Sequence, residues 1–559
     1  MNVQQILDIL IQEKVQIRLG DDKNLKLSSQ NGKISPKTIS LIKANKAAII
    51  MYLEARAATV NKATVAVERA PEMDFYPVSV DQYRMWVLSQ FEEASVAYNI
   101  SNGVVVNMPI ALETLQEANK RLCIDNEILR TTFVQNEAGE LVQHIHEVSE
   151  TVTNITYEDL SNTENNLAAA KNSIKAHCQI PMEFTTGPLY KLFCFKLSSD
   201  SFFIAMIIHH IISDGWSLQI LNAELLQHYD DSLSGKPHQI TQKYGYKDFA
   251  YWQQQQLKLS KNESLDFWKE KLSGELPVLN LVNPTERPKV KTYTGKYIEK
   301  ELTSELSAGL KTLFGKQQST TFMGMMAAVH LLLHKYSGER DIIVGTPVAG
   351  RELPEFRNTV GLFANSVPIR LQVNTQQSFL DFLASTRKEV VEAFDHQNFP
   401  FEQMVELVDE KRDISRAAIF DVLVVMQNMD FTPDASPQTN DSLTVAHVDI
   451  DSKVALFDLT WTFTENEHGL GLLLRYNTDL FDDTYIHNLM EHFTYVLQQI
   501  VENPSQSLAD FKLVSKEAQS KILEFSTNDG EPAATTHIWK DIEKNIQNLP
   551  EATAVVFED

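Results

Sequence analysis

Phe202-Phe203-Ile204-Ala205-Met206-Ile207-Ile208-His209-His210-Ile211-Ile212-Ser213-Asp214-Gly215-Trp216-Ser217 is the stretch on which the reading of this chain turns. Residues 202–208 are apolar without alternation, which predicts a strand buried on both faces. A polar cluster follows, in which Gly215 closes a turn, and residues 216–228 predict a helix. The two histidines therefore fall at the end of a strand. Successive strand residues face opposite sides, so one of His209 and His210 is expected in a cleft and the other in the packing. Asp214 is costly to bury unpaired and is expected to meet an arginine. The candidates are Arg351 and Arg130. Asp214 would then hold the turn while a histidine takes part in proton transfer. No further ligand types stand at close spacing, so no metal is expected.

Composition narrows the classes. The chain has 559 residues, of which 43% are hydrophobic and 22% charged, so more than one folded unit with a real interior is expected. A net charge of −24 argues against nucleic acid and anionic membrane surfaces as partners. No apolar run is long enough to span a bilayer, and MNVQQILDILIQEK does not read as a signal peptide. Cys123, Cys178 and Cys194 are widely spaced, which favours a reducing, cytoplasmic setting.

The first sixty residues differ from the rest. Val3, Ile6, Leu7, Leu10 and Ile11 follow a helical period. Val15–Leu19 and Leu25–Leu27 flank Gly20-Asp21-Asp22 and predict a hairpin. Ser35-Pro36 then offers a helix start. Nine basic residues stand against five acidic ones up to residue 60, a local net of +4 on an acidic protein. A small basic hairpin of this kind can take up an acidic tail by strand addition, with Arg18, Lys23 and Lys26 as contacts.

With these residues in view, the chain resembles a known family. His209-His210-Ile211-Ile212-Ser213-Asp214-Gly215 matches HHxxxDG, the signature of the condensation domains of non-ribosomal peptide synthetases and of related chloramphenicol-acetyltransferase-like acyltransferases. Further segments follow in the family's order. Ser79-Val80-Asp81-Gln82-Tyr83-Arg84-Met85-Trp86 resembles SxAQxRLW, with Asp81 in place of Ala. Asn126 to Phe133 resembles RHExLRTxF, with Asp125-Asn126 in place of Arg-His. Tyr246 to Trp252 matches YxDFAxW, and Ile343 to Arg351 resembles IGxPxxxR. Gly361 to Arg370, which contains Asn365, resembles GxFVNTxxxR, and His396 to Glu402 resembles HQDxPFE, with Asn398 in place of Asp.

The resemblance implies a mixed α/β (α+β) fold of two chloramphenicol-acetyltransferase-like lobes in a V. Residues 74–250 would form the N-lobe and 251–515 the C-lobe. Residues 1–60 resemble the αββαα docking domains of synthetase subunits, with 61–73 as linker, and 516–559 resemble a linker and the start of an adenylation domain. By the match, His210 is the catalytic histidine, with His209, Asp214 and Gly215 completing the motif. Ser213, Trp216, Arg130, Arg351, Asn365, Ser79 and Arg84 are structural or substrate-tunnel residues. The implied reaction joins a donor aminoacyl or peptidyl thioester to an acceptor's amine, both on the 4'-phosphopantetheine arms of carrier proteins, with no cofactor bound directly. The implied partners are those two carriers, an upstream subunit's C-terminal peptide and a downstream adenylation domain. The chain is read as a piece of a larger subunit.

Four rival readings are set against this one. An epimerase relative also shares HHxxxDG, but normally follows a carrier domain. A CoA-dependent acyltransferase would carry DFGWG, where Leu456-Phe457-Asp458-Leu459-Thr460 stands instead. A heterocyclising relative would replace HHxxxDG with an Asp-rich motif. A catalytically silent recruitment module would usually lose the histidine present at 210.

Overall fold

The computed structural model describes residues 15–19, 25–29, 38, 42, 46, 67–90, 92–148, 154–239, 243–258, 263–281, 286–408, 413–427, 445–448, 450, 453–466, 469–526 and 538–553. The chain divides into two compact units, both built from segments distant in sequence.

The first unit comprises residues 1–262, 351–363 and 433–450. Its main sheet has five strands in the spatial order Val445–His447, Asn99–Val106, Phe202–His209, Tyr190–Lys196 and Thr156–Asp159. The apolar run takes the central place that its composition demands. Every residue of Phe202–His209 is buried, and the strand pairs antiparallel with both neighbours. Gly103 makes room for this strand, since a Cβ there would stand 2.4 Å from Phe203 Cε2. The Gly215–Leu233 helix extends five residues past its expected end and packs on the Leu112–Asp125 helix. A smaller sheet of Tyr76–Pro77, Leu141–Ile145 and Thr131–Gln135 completes this part.

The first unit also includes the N-terminal hairpin. Val15–Leu19 and Leu25–Ser29 pair antiparallel, with Arg18 directly opposite Lys26. Thr38 and Ile42, one helical turn apart, are buried, while Lys46 is exposed. The helix expected over residues 3–11, the turn at 20–22 and Lys23 lie outside the described residues.

The second unit comprises residues 263–350, 364–432 and 451–559. Its sheet runs Gly295–Glu301, Gly469–Asn477, Leu459–Asn466, Val422–Gln427, Asp341–Val348, Asn365–Gln372. The Thr321–Ser337 helix, capped by Thr320, is buried continuously from Gly324 to His334, as a helix apolar on all sides must be. The residues after Ser515, expected as linker, include the helix Lys516–Ser526, whose first turn the Ser515 hydroxyl caps by accepting from Ala518 N. A further helix, Ile538–Asn548, leaves Ile538, Trp539, Ile542 and Ile546 exposed. Residues 554–559, the last of the stretch that resembles the start of an adenylation domain, lie outside the described residues. Among the described residues, no helix is long and apolar enough to cross a membrane.

Candidate active site

The site grows from the end of the central strand. His209 is its last residue, and His210–Ile212 form a single tight helical turn. Asp214 is the N-cap of the Gly215–Leu233 helix, accepting from Ser217 N at 2.7 Å. The two histidines part company as strand geometry requires. His209 is 1% exposed, accepts from Ile211 N through Nδ1, and packs edge-on against Phe184. Burial, and then the neighbouring His210, push His209 down to about 3, so it stays neutral at working pH. His210 keeps partial exposure and meets the Tyr98 ring edge-on at 6.4 Å. Burial pushes its imidazole below the ordinary value. The charge of Asp214 and the backbone of His210 and Ser213 pull the other way, while the charge of Arg84 adds to the lowering.

Asp214 is the hub of a buried network. Its carboxylate accepts from Arg351 Nη2 at 3.1 and 3.3 Å and from Phe363 N at 3.0 Å. The two side chains are 3% and 1% exposed, so the ion pair is desolvated. Arg351 also donates to Ser217 Oγ at 2.7 Å and to the carbonyls of Phe356 and Thr359. Its guanidinium carbon lies 4.0 Å from the centre of the Phe363 ring. Ser217 Oγ accepts from Gly361 N at 3.0 Å and donates to Gly361 O at 2.8 Å. Residues 351–363 are thus laced onto the histidine turn across more than 130 positions of sequence.

Two other motifs join this framework. Tyr246 donates to Leu362 O and shares a 2.9 Å hydrogen bond with Ser79 Oγ. Gly361 carries no side chain because a Cβ would meet the Tyr246 ring at 1.9 Å. Gln82, in the helix capped by Ser79, donates to Ile211 O at 3.3 Å and so holds the backbone just past the histidines. Ser213 is fully buried, and Trp216 Nε1 donates to Arg357 O at 3.1 Å. Gly215, expected to close the turn, is the first residue of the helix. A side chain there would meet nothing within 4 Å among the described residues.

Arg130 does not reach Asp214. It donates to the carbonyls of Cys123 and His146 and lies 3.7 Å from Glu127, fastening a helix end to a strand. Asn365 belongs to the second unit, where it donates to Gln397 O and Phe399 O at 2.8 Å and accepts from Phe401 N at 3.0 Å. It ties two motifs together there. His396 caps the C-terminus of the Phe379–Asp395 helix, shares a hydrogen bond with Ser264 at 2.9 Å and stacks on Phe267. Asp458 is paired with Arg287. Its carboxyl is raised by burial and by Asp421, with Arg287 opposing.

Ser217, Gln82 and Tyr246 are structural members of the site beyond the residues expected from the sequence. All three stand inside quoted motifs, and that was the available signal.

Comparison with known proteins gives the family. The condensation-domain family matches residues 72–523, and the chain belongs to it: it is a condensation domain of the amide-bond-forming kind found in non-ribosomal peptide synthetases. Gramicidin S synthase 2 of Aneurinibacillus migulanus is 30% identical over 498 residues, covering 88% of this chain and 11% of that protein. Surfactin synthase subunit 1 of Bacillus subtilis (strain 168) is 31% identical over 500 residues, covering 89% and 13%. The chain therefore spans about a tenth of the length of these relatives. Among solved structures, a four-domain non-ribosomal peptide synthetase bound to AMP and glycine gives a TM-score of 0.74 at 23% identity, over 88% of this chain and 38% of that one. The X-domain from teicoplanin biosynthesis gives 0.72 at 23%, over 80% and 100%.

Proposed function

We propose that this chain joins a donor aminoacyl or peptidyl thioester to the amine of an acceptor aminoacyl thioester, both held on phosphopantetheine arms of carrier proteins. The observation that carries the reading is a partly accessible, neutral His210 on a turn that Asp214, Arg351 and Ser217 hold rigid. A neutral imidazole can accept a proton or a hydrogen bond from the attacking amine, whereas an imidazolium cannot. The amine nitrogen attacks the thioester carbonyl, the new C–N bond forms, the C–S bond breaks, and the departing thiolate takes up a proton. No ATP is consumed at this step. Holding both arms at one turn makes the encounter nearly intramolecular. The open space before Gly215 leaves the backbone free for close approach by an arm. His209, Asp214, Arg351, Ser213 and Ser217 are positioning residues in this reading, and Arg84 tunes His210 electrostatically.

The N-terminal hairpin is the subunit's docking element in the same reading. Support comes from the local net charge of +4 and from the register that sets Arg18 opposite Lys26. Two like charges placed opposite each other are unfavourable alone and favourable beside an acidic strand. The upstream subunit's C-terminal peptide would add along this hairpin, and the apolar residues exposed on Ile538–Asn548 would meet a downstream adenylation domain. The setting is the cytoplasm.

Deleting residues 1–60 tests both halves together. With loaded carriers in excess, product yield should stay within about twofold, while transfer from the natural upstream subunit should stop. Exposed charge pairs contribute only about 0–1 kcal/mol each, so affinity for the upstream tail should be modest and fall with salt. Calorimetry showing no binding would end the docking role. Loss of product with excess carriers would show that the hairpin serves the catalytic fold instead.

A further inference from the structure

A second cluster of chemistry-bearing side chains lies away from His210. Asp125 ends the Leu112–Asp125 helix, His228 sits on the distal half of the Gly215–Leu233 helix, and His238 lies on the segment beyond it. His228 is about 20 Å along its helix from Gly215, so the cluster takes no direct part in the histidine turn. Both imidazoles aim Nε2 at one carboxylate, His228 at 3.2 Å and His238 at 3.1 Å from its oxygens. The two rings stand at 87° to each other with centres 5.4 Å apart. All three side chains are largely withdrawn from solvent, at 8% exposure for Asp125, 11% for His228 and 16% for His238.

Hydrogen bonding alone leaves this cluster incomplete. His238 makes a well-formed contact to Asp125 Oδ2. His238 Nε2 also stands 3.1 Å from Oδ1, and His228 Nε2 3.2 Å from Oδ2, so two ring nitrogens crowd one carboxylate; among the described residues, buried Asp125 Oδ1 and His228 Nε2 have no well-aligned hydrogen-bond partner. Unsatisfied buried acceptors and ring nitrogens are expensive, and their convergence on one point calls for a group that satisfies them together.

We propose that Asp125, His228 and His238 form a divalent transition-metal site, taking Zn2+ or a congener of similar ligand preference. Two imidazoles and a carboxylate are a common three-ligand set for this ion, with the remaining position left to water. At metal–ligand bonds of about 2.0–2.2 Å, tetrahedral ligands stand about 3.3–3.6 Å apart. The two nitrogen–oxygen separations are already close to that, and all three ligand atoms lie within 4.8 Å of one another. His238 lies beyond the helix end and past Gly235, whose φ of +63° marks a turn, so it can close the remaining distance. The carboxylate also stands where this chain departs from its family's pattern, with Asp125 in the position of a usual Arg. The ion's work is structural. It pins the far end of the helix that Asp214 begins to the helix that leads into Arg130.

The test uses the full chain, stripped with a chelator and titrated with Co2+ and then Zn2+. One Co2+ per chain should bind with the visible absorption of a four-coordinate site, and Zn2+ should displace it and raise the melting temperature. His238→Gln and Asp125→Asn should each weaken Co2+ binding by at least about 100-fold, since loss of a ligand costs no less than loss of its supporting partner. His238→Gln sits outside regular structure, and an unchanged circular dichroism spectrum makes it decisive if Asp125→Asn fails to fold. The proposal is overturned if the parent shows no such absorption, or if His238→Gln binds Co2+ as the parent does. In either case the cluster is a hydrogen-bonded Asp–His pair and no more.

Discussion

Replacing His210 with alanine should lower the single-turnover rate of peptide-bond formation by about 10²–10⁴-fold, the usual worth of a positioned proton-transfer group. The fold should survive, because His210 keeps partial exposure and its side chain supports none of the network around Asp214. The melting temperature therefore separates a chemical loss from a structural one. The pH profile carries the sign of the electrostatics. Burial lowers His210, so the imidazole is neutral through physiological pH and the rate should be flat there. It should fall only below the ordinary histidine value of about 6.5, as the ring takes up a proton. A His210→Ala protein with parental rate would remove this residue from the mechanism.

Asp214→Ala should act in the opposite way, on folding first. The substitution strands Arg351 in a desolvated site, and removing one partner of a buried ion pair costs roughly 3–5 kcal/mol. It also removes the helix cap to Ser217 N, worth about 0.5–2 kcal/mol. Against a total stability of about 5–15 kcal/mol, that is enough to produce aggregation or a large drop in melting temperature. Asp214→Asn keeps the cap and loses the charge, so it should fall between. The pair Asp214→Ala with Arg351→Met should be milder than Asp214→Ala alone, because no charge is left buried. An Asp214→Ala protein with the parent's melting curve would contradict the structural role.

How far the chain could be read beforehand depends on the range of the interactions. The strand, the turn and the helix after it are encoded within some thirty residues, and Phe202 to Leu233 forms them in that order. That Asp214 needs an arginine follows from the cost of burying a lone charge. Which arginine it meets does not, because Arg351 and Arg130 offer the same chemistry and only tertiary packing separates them. Arg351 reaches it at 3.1 Å, while Arg130 is spent on the carbonyls of Cys123 and His146. The backbone donor at Phe363 was invisible for a plainer reason: every residue has one, and only the fold says which is aimed at a carboxylate. Asp125, His228 and His238 leave no local spacing signal, because Asp125 and His228 lie 103 positions apart on packed helices. The Lys516–Ser526 helix lies in the stretch read as linker, and Ser515 as a cap is its local signal.

The most direct test of the central claim is a rapid-quench single turnover with two separately loaded carriers and no ATP. One carries a radiolabelled donor aminoacyl group, the other an unlabelled acceptor. The account predicts that label leaves the donor carrier and appears as a dipeptidyl thioester on the acceptor carrier, with one free donor thiol formed for each peptide bond. Label that stays on the donor, or leaves it as free acid without an amide being formed, would contradict it.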